Sequence, residues 1–135
     1  MTNIMVPISP GELLDKLTIL ELKSKAIRAP EKRANVETEL RALTEVARKS
    51  VPNDEIVSVL RDELLEVNAD LWQIEDDIRA CEARKDFGAG FIALARAVYI
   101  TNDRRADIKR KINIHLGSAL VEEKSYSEHG LNHDS

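Results

Sequence analysis

Residues whose side chains could bind a ligand cluster on the last long helical segment of the sequence, where polar side chains interrupt an apolar face. A projection at about 100° per residue places Asn102, Arg105 and Lys109 within about 60° of one line, which is apolar one turn earlier. Two cations on such a face need carboxylates or an external anion, because burying an unpaired charge is very unfavourable. We therefore expect any ligand site to centre on these three residues, with Lys16 from the first helix contributing.

A second group of polar residues predicts an internal network. Asn68 and Glu75 lie close to the centre of an apolar seam on the preceding helix. Folding the two helices into a hairpin about residue 86 places Asn68 opposite residues 102–105. It places Glu75 opposite Arg96 and Tyr99. Such networks fix the register of packed helices.

Three interpretations of these polar residues stay open at the level of sequence. They form a network that is satisfied internally, or they line a partly basic pocket between the hairpin and the first helix that takes an anionic small ligand. Alternatively, the half-apolar and half-basic face is an interface with another subunit or partner. Trp72 lies on a second apolar strip, where we expect it to cover the first or second helix.

The sequence lacks the residue patterns of the catalytic and metal-binding motifs that are common in helical proteins. The three histidines, His115, His129 and His133, do not follow a glutamate at the spacing of a di-iron motif, and two of them lie near the C-terminus. No glycine-rich phosphate loop follows a strand pattern. The sequence therefore predicts no catalytic residues, no metal and no cofactor, and it favours a protein that is not an enzyme.

The elements that position these residues are four helices. Ser9 before Pro10, with Glu12 three residues after Ser9, predicts a capping box at the first helix, and Pro30 separates the first helix from the second. Ser50 or Asn53 is expected to cap the third. The expected spans are residues 10 to about 28, 30 to about 50, 54–84 and 88–116.

The third and fourth helices are expected to form a long antiparallel hairpin, on which the two shorter helices pack. An uninterrupted heptad seam runs from Val57 to Cys81, and a short turn at residues 85–88 leads into the fourth helix. The third helix is predominantly acidic and the fourth predominantly basic. Because so long a seam exceeds what two shorter helices can cover, we expect a homodimer.

Length and composition limit the number of domains, the compartment and the kinds of partner that the sequence is compatible with. The chain has 135 residues, of which 43% are hydrophobic and 33% charged, which predicts one helical domain over residues 1–118 and a polar tail over 119–135. Cys81 is the single cysteine, so no disulfide framework is expected. The absence of a long apolar run or a signal-like start predicts a cytoplasmic protein without membrane contact. A net charge of −4 with 4% aromatic residues argues against nucleic-acid binding.

Three motifs carry a resemblance to a known family. They are residues 6–20 (VPISPGELLDKLTIL), 94–113 (LARAVYITNDRRADIKRKIN) and 122–126 (EEKSY). Together they resemble an uncharacterised bacterial family that is classified as a domain of unknown function. The resemblance implies no assigned reaction, and it implies a loose link to surface-polysaccharide synthesis. Within it, Glu122 and Glu123 are natural partners for Arg105, Lys109 or Arg110.

Two functions follow from these expectations. The favoured one is a non-enzymatic accessory or protein-interaction protein, a homodimer with a possible further protein partner. The alternative is a small-molecule binder, or an enzyme, acting on a phosphorylated or carboxylated metabolite between the first and fourth helices.

Overall fold

In its described part the chain folds into four helices and has no strand. The computed structural model describes residues 3–120 and residue 123. The helices are α1 (Pro10–Ala26), α2 (Pro30–Ser50), α3 (Glu55–Arg84) and α4 (Ala89–His115). The most extensive packing is between α3 and α4. The predicted all-α fold with a long hairpin is confirmed.

The start of α1 follows the predicted capping pattern only in part. The Ser9 hydroxyl accepts a hydrogen bond from the Glu12 backbone N–H at 3.1 Å, and Pro10 occupies the first turn. The Glu12 carboxylate does not return to Ser9 and instead reaches Lys109. The helix ends at Ala26, two residues before the expected position, with Ile27 extended.

Asp54 caps α3, so the expectation of Ser50 or Asn53 as the cap is wrong. Asp54 Oδ1 accepts the backbone N–H of Val57 at 2.8 Å, and Asp54 Oδ2 lies 2.9 Å from His115 Nε2. The hydrogen bond from the Val57 N–H holds the pKa of the Asp54 carboxyl below its usual range, and the contact with His115 is the second cause of this lowering. This contact joins the beginning of α3 to the end of α4 and closes one end of the hairpin.

A tight turn closes the other end. Lys85 takes a left-handed conformation (φ 56°), and the Asp86 backbone N–H donates to the Cys81 carbonyl at 2.9 Å. This six-to-one bond satisfies a carbonyl that the end of α3 would leave unpaired. The chain therefore reverses at once and runs antiparallel along α4.

The core lies where α1 packs across the hairpin. The buried apolar cluster joins α1 to the first half of α3 and the last turns of α4: Leu13, Leu14, Leu17, Val57, Leu60, Leu64, Val67, Ile108 and Ile112. Among the described helices, α2 packs against α1 alone, and its Leu40, Leu43 and Ala47 contact the cluster from outside. The second helix is therefore an outer layer.

Beyond this core the hairpin continues as a two-helix projection, residues 74–100, which we name the arm. All of the arm is described, and only Cys81 in it is buried. Its other apolar side chains are half-buried in the seam or exposed. Thirty residues give α3 a length of roughly 45 Å, far more than the 17 residues of α1 can cover.

The described part of the predicted tail is short. Arg110 Nη1 donates to Glu123 Oε1 at 2.6 Å, which is one of the pairings expected for this segment. Residues 121, 122 and 124–135, and with them most of the predicted tail, lie outside the described residues. No described helix combines the length and apolar character that crossing a bilayer requires.

Replacing Ser9 by Ala tests the cap of α1. We expect Ser9→Ala to lower the free energy of unfolding by about 1 kcal/mol, because the Glu12 N–H loses its acceptor. Urea unfolding of parent and variant measures the difference. Ser58→Ala, at a solvent-exposed position of α3, is the control. Equal urea midpoints for the Ser9 and Ser58 variants would show that Ser9 contributes no cap.

Candidate functional site

Asp15, a carboxylate on the apolar face of α1, lies at the centre of the candidate site. It is 1% exposed. Arg105 of α4 binds it with two parallel hydrogen bonds, Nε to Oδ1 at 2.9 Å and Nη2 to Oδ2 at 2.5 Å. This bidentate geometry is the strongest that a guanidinium and a carboxylate form. The pair therefore ties α1 to α4 at the level of the core.

Asn68 ties the same carboxylate to α3. Its Nδ2 donates to Asp15 Oδ1 and to Thr18 Oγ1, both at 2.9 Å. The Thr18 hydroxyl in turn donates to the Asp15 carbonyl at 2.7 Å. Three helices thus meet in one set of hydrogen bonds, which we name the Asp15 junction: Asp15, Thr18, Asn68 and Arg105.

Lys109 extends the junction toward the beginning of α1. Its side chain is 8% exposed, and its Nζ lies 2.8 Å from Glu12 Oε2 and 3.9 Å from Asp15 Oδ2. Since Arg105 and Lys109 both face Asp15, the repulsion between the two cations is offset by carboxylates of α1.

Close backbone contact between α1 and α4 is a further element of the site. The Gly11 N–H donates to Asn113 Oδ1 at 2.7 Å. A Cβ atom at Gly11 would lie 2.6 Å from the Lys109 carbonyl oxygen, so only glycine allows the helices to approach this closely. Asn113 Nδ2 is buried and has no hydrogen-bond partner in the described part of the chain.

The structure brings together three of the four predicted ligand-site residues. Arg105 and Lys109 share Asp15, and Asn102 Oδ1 lies 3.4 Å from Arg105 Nη1. Lys16 is directed elsewhere: it is half exposed and pairs with Glu39 of α2 at 3.2 Å.

The predicted polar network is assembled differently from the expected pairings. Asn68 bonds to α1 and not to residues 102–105. Glu75 pairs with Arg79 of its own helix at 2.5 Å and does not pair with Arg96 or Tyr99, both of which are exposed.

Sequence reasoning missed Asp15, Thr18 and Gly11 as site residues. A signal was present, because positions 11, 15 and 18 recur at helical spacing inside the leucine face of α1. A carboxylate at the centre of an apolar face requires buried partners. Asn102, Arg105 and Lys109 were found because they break the same pattern on α4.

A pocket of about 500 Å³ opens beside the Asp15 junction. It lies between the second half of α1, the middle of α3 and α4. Its apolar wall consists of Ile19, Leu22, Leu71 and Trp72. Its polar lining consists of Asn68, Glu75, Asp76, Arg79, Asn102 and Arg105. Trp72 was expected to cover the first or second helix, and the structure places it on the wall of this pocket together with Ile19 and Leu22 of α1. The volume of the pocket is in the range of small-molecule sites.

A family model described as a family of unknown function, DUF6165, matches residues 4–131. The chain belongs to the DUF6165 family. The predicted membership of a family of unknown function is confirmed. No curated protein and no solved structure is significantly similar to this DUF6165 chain.

Potential metal ligands are dispersed in the described part of this DUF6165 chain. No three histidine, cysteine, aspartate or glutamate side chains come together there in a group that could hold an ion. The described site offers hydrogen bonding and ion pairing around Asp15, and a pocket adjoins it.

Replacing Asp15 by Asn tests the junction. The change keeps the shape and removes the charge, leaving Arg105 and Lys109 without their shared carboxylate. We expect a loss of roughly 3 kcal/mol in the free energy of unfolding. Asp62→Asn, at an exposed position of α3, should change it by less than about 0.5 kcal/mol. Equal urea midpoints for both variants would show that the fold does not depend on Asp15.

Proposed function

We propose that this protein is a non-enzymatic accessory protein that acts by protein–protein interaction, and that its first partner is a second copy of itself. The observation that supports this proposal is the arm, residues 74–100. Its two helices extend beyond the core, and their apolar seam is incompletely covered. Two helices alone bury only one stripe of each other's surface, whereas a bundle of four buries a complete core.

The arm exposes large apolar side chains along its length. Ile92 is 56% exposed and Tyr99 44%, and the two are one heptad apart on α4. Phe87, at the turn, is about half exposed and packs edge-to-face on Phe91. Grouped apolar exposure of this kind is typical of an interaction surface.

The α4 half of the arm carries little charge. Residues 89–100 hold Arg96 as their one charged residue, whereas residues 74–84 of α3 hold four acids and two bases. A two-fold axis beside the arm would place the apolar α4 surfaces of two protomers together, away from the acidic α3 surfaces. This arrangement favours a second copy as the partner.

The cellular setting is part of the same proposal. The resemblance to bacterial sequences and its link to surface-polysaccharide synthesis suggest an accessory role in the bacterial cytoplasm, with a further protein partner able to occupy the remaining exposed surface. Neither nucleic acid nor membrane is a proposed partner.

Ile92→Glu tests the dimer at the arm. We expect the parent to sediment at about twice the 15.2 kDa of one chain at high micromolar concentration. A buried glutamate at position 92 should weaken self-association by at least about tenfold. Ile56→Glu, at an equally exposed isoleucine outside the arm, is the control. A parent that sediments as a monomer at these concentrations would refute the proposal.

A small-molecule binder is the second candidate function, and the pocket beside the Asp15 junction supports it. Asn102 and Arg105, two of the residues that the sequence singled out for a ligand, line this pocket. An anionic metabolite here would have to compete with Asp15 for Arg105. Lys109 does not line the pocket and lies against Glu12.

Lys109→Met separates the structural and anion-binding roles of this cation. Because Glu12 and Asp15 already face Lys109, we expect the variant to lose roughly 1–3 kcal/mol of stability in anion-free buffer. We also expect phosphate and sulfate to leave the Tm of the parent unchanged. A rise in Tm for the parent alone, with a variant that is stable without anions, would instead support an anionic ligand.

A further inference from the structure

We propose that the pocket beside Trp72 binds a small organic cation, an ammonium or guanidinium group carried on an apolar body. The proposal rests on the second candidate function, because it uses the same pocket, and it replaces the anionic ligand expected from the sequence by one of opposite charge.

Both guanidinium groups of the pocket are neutralised by the protein itself. Arg105 makes its bidentate pair with Asp15, which lies behind the pocket wall. Arg79 Nη1 lies 2.5 Å from Glu75 Oε2. An anion entering the pocket would therefore meet two cations whose charge is already balanced by carboxylates.

Asp76 is the charged group of the pocket lining that no described side chain pairs with. Its side chain is exposed and makes no hydrogen bond or ion pair with any described residue. With Arg79 balanced by Glu75 and Arg105 by Asp15, Asp76 is the charge that a ligand can neutralise.

Asn68 adds a hydrogen-bond acceptor to the lining of the same pocket. The residue is 5% exposed and lines the pocket, and its Nδ2 is occupied by Asp15 and Thr18. Its Oδ1 accepts no hydrogen bond from any described residue. This oxygen is open to the pocket, because Asn113 Nδ2 is the one buried side-chain polar atom of the described residues that lacks a partner. A ligand that brings N–H groups can donate to it.

The remaining wall suits the rest of such a ligand. Trp72 lies one helical turn before Asp76, and both line the pocket, so an indole and a carboxylate border the same space. Indole is the best aromatic partner for a cation, and Ile19 and Leu22 supply apolar surface opposite. A cationic head with an apolar body matches each part of this lining.

Three probes of nearly equal shape test the charge preference. Cyclohexylamine is a cation at neutral pH, cyclohexanecarboxylate an anion and cyclohexanol neutral. Trp72 is the single tryptophan of the chain, so its intrinsic fluorescence reports on the pocket directly. We expect a saturable change with cyclohexylamine, and an affinity at least about tenfold lower for the carboxylate.

Asp76→Asn tests the residue that sets this preference. We expect the variant to bind cyclohexylamine about tenfold more weakly and to keep its helical circular dichroism, because Asp76 is exposed. Asp62→Asn, on the same helix outside the pocket, should bind as the parent does.

The outcomes distinguish the ligand class from the pocket itself. Saturation by the carboxylate or by cyclohexanol at equal or higher affinity would overturn the cationic class and leave a ligand pocket. An Asp76 variant with unchanged affinity would overturn the assignment of charge. Absence of a saturable response to any of the three probes would overturn both the inference and the second candidate function.

Discussion

A carboxylate held in an apolar interior constrains the rest of this structure. Asp15 is almost completely buried, and an ionised carboxylate tolerates that environment only with charged and hydrogen-bonding partners on every side. Arg105 of α4 and Asn68 of α3 supply those partners. Since each comes from a different helix, satisfying one side chain fixes the position of α1 on the hairpin. The leucines around it supply most of the hydrophobic stabilisation, whereas the carboxylate determines where α1 lies.

This constraint also determines what the neighbouring groups are able to do. Arg105 and Lys109 are the cations that would attract an anion, and both are directed at carboxylates of α1. The groups left over in the adjoining pocket are acceptors, Asp76 and the Asn68 oxygen. The site that appears basic in the sequence therefore has its cations directed at carboxylates of α1, which hold the helices together, and the Asp76 carboxylate lines the adjoining pocket.

The position of α1 leaves the arm uncovered. The short helix packs across the end of the hairpin where α3 begins and α4 ends, and α2 adds an outer layer on α1 without reaching the arm. A seam that is continuous in sequence is consequently buried at one end and half exposed at the other. The internal network and the proposed self-association are thus two results of the same placement.

Sequence by itself determined the four helices and their hairpin. Local signals decide these features: Ser9 and Pro10 start α1, Pro30 separates α2, and the heptad seam fixes which faces of α3 and α4 meet. It also identified Asn102, Arg105 and Lys109 as residues that break an apolar pattern.

Only the tertiary structure decided the partners of those residues. Lys16 and Lys109 each have an isoleucine three residues later, yet one reaches α2 at the surface and the other faces the buried carboxylate of Asp15. Asp15 becomes the centre because α1 packs across the hairpin at that residue, and its distance along the chain from Arg105 gives no indication of this. Helix periodicity states which residues share a face, whereas the pairing of charges across faces depends on where two helices come into contact.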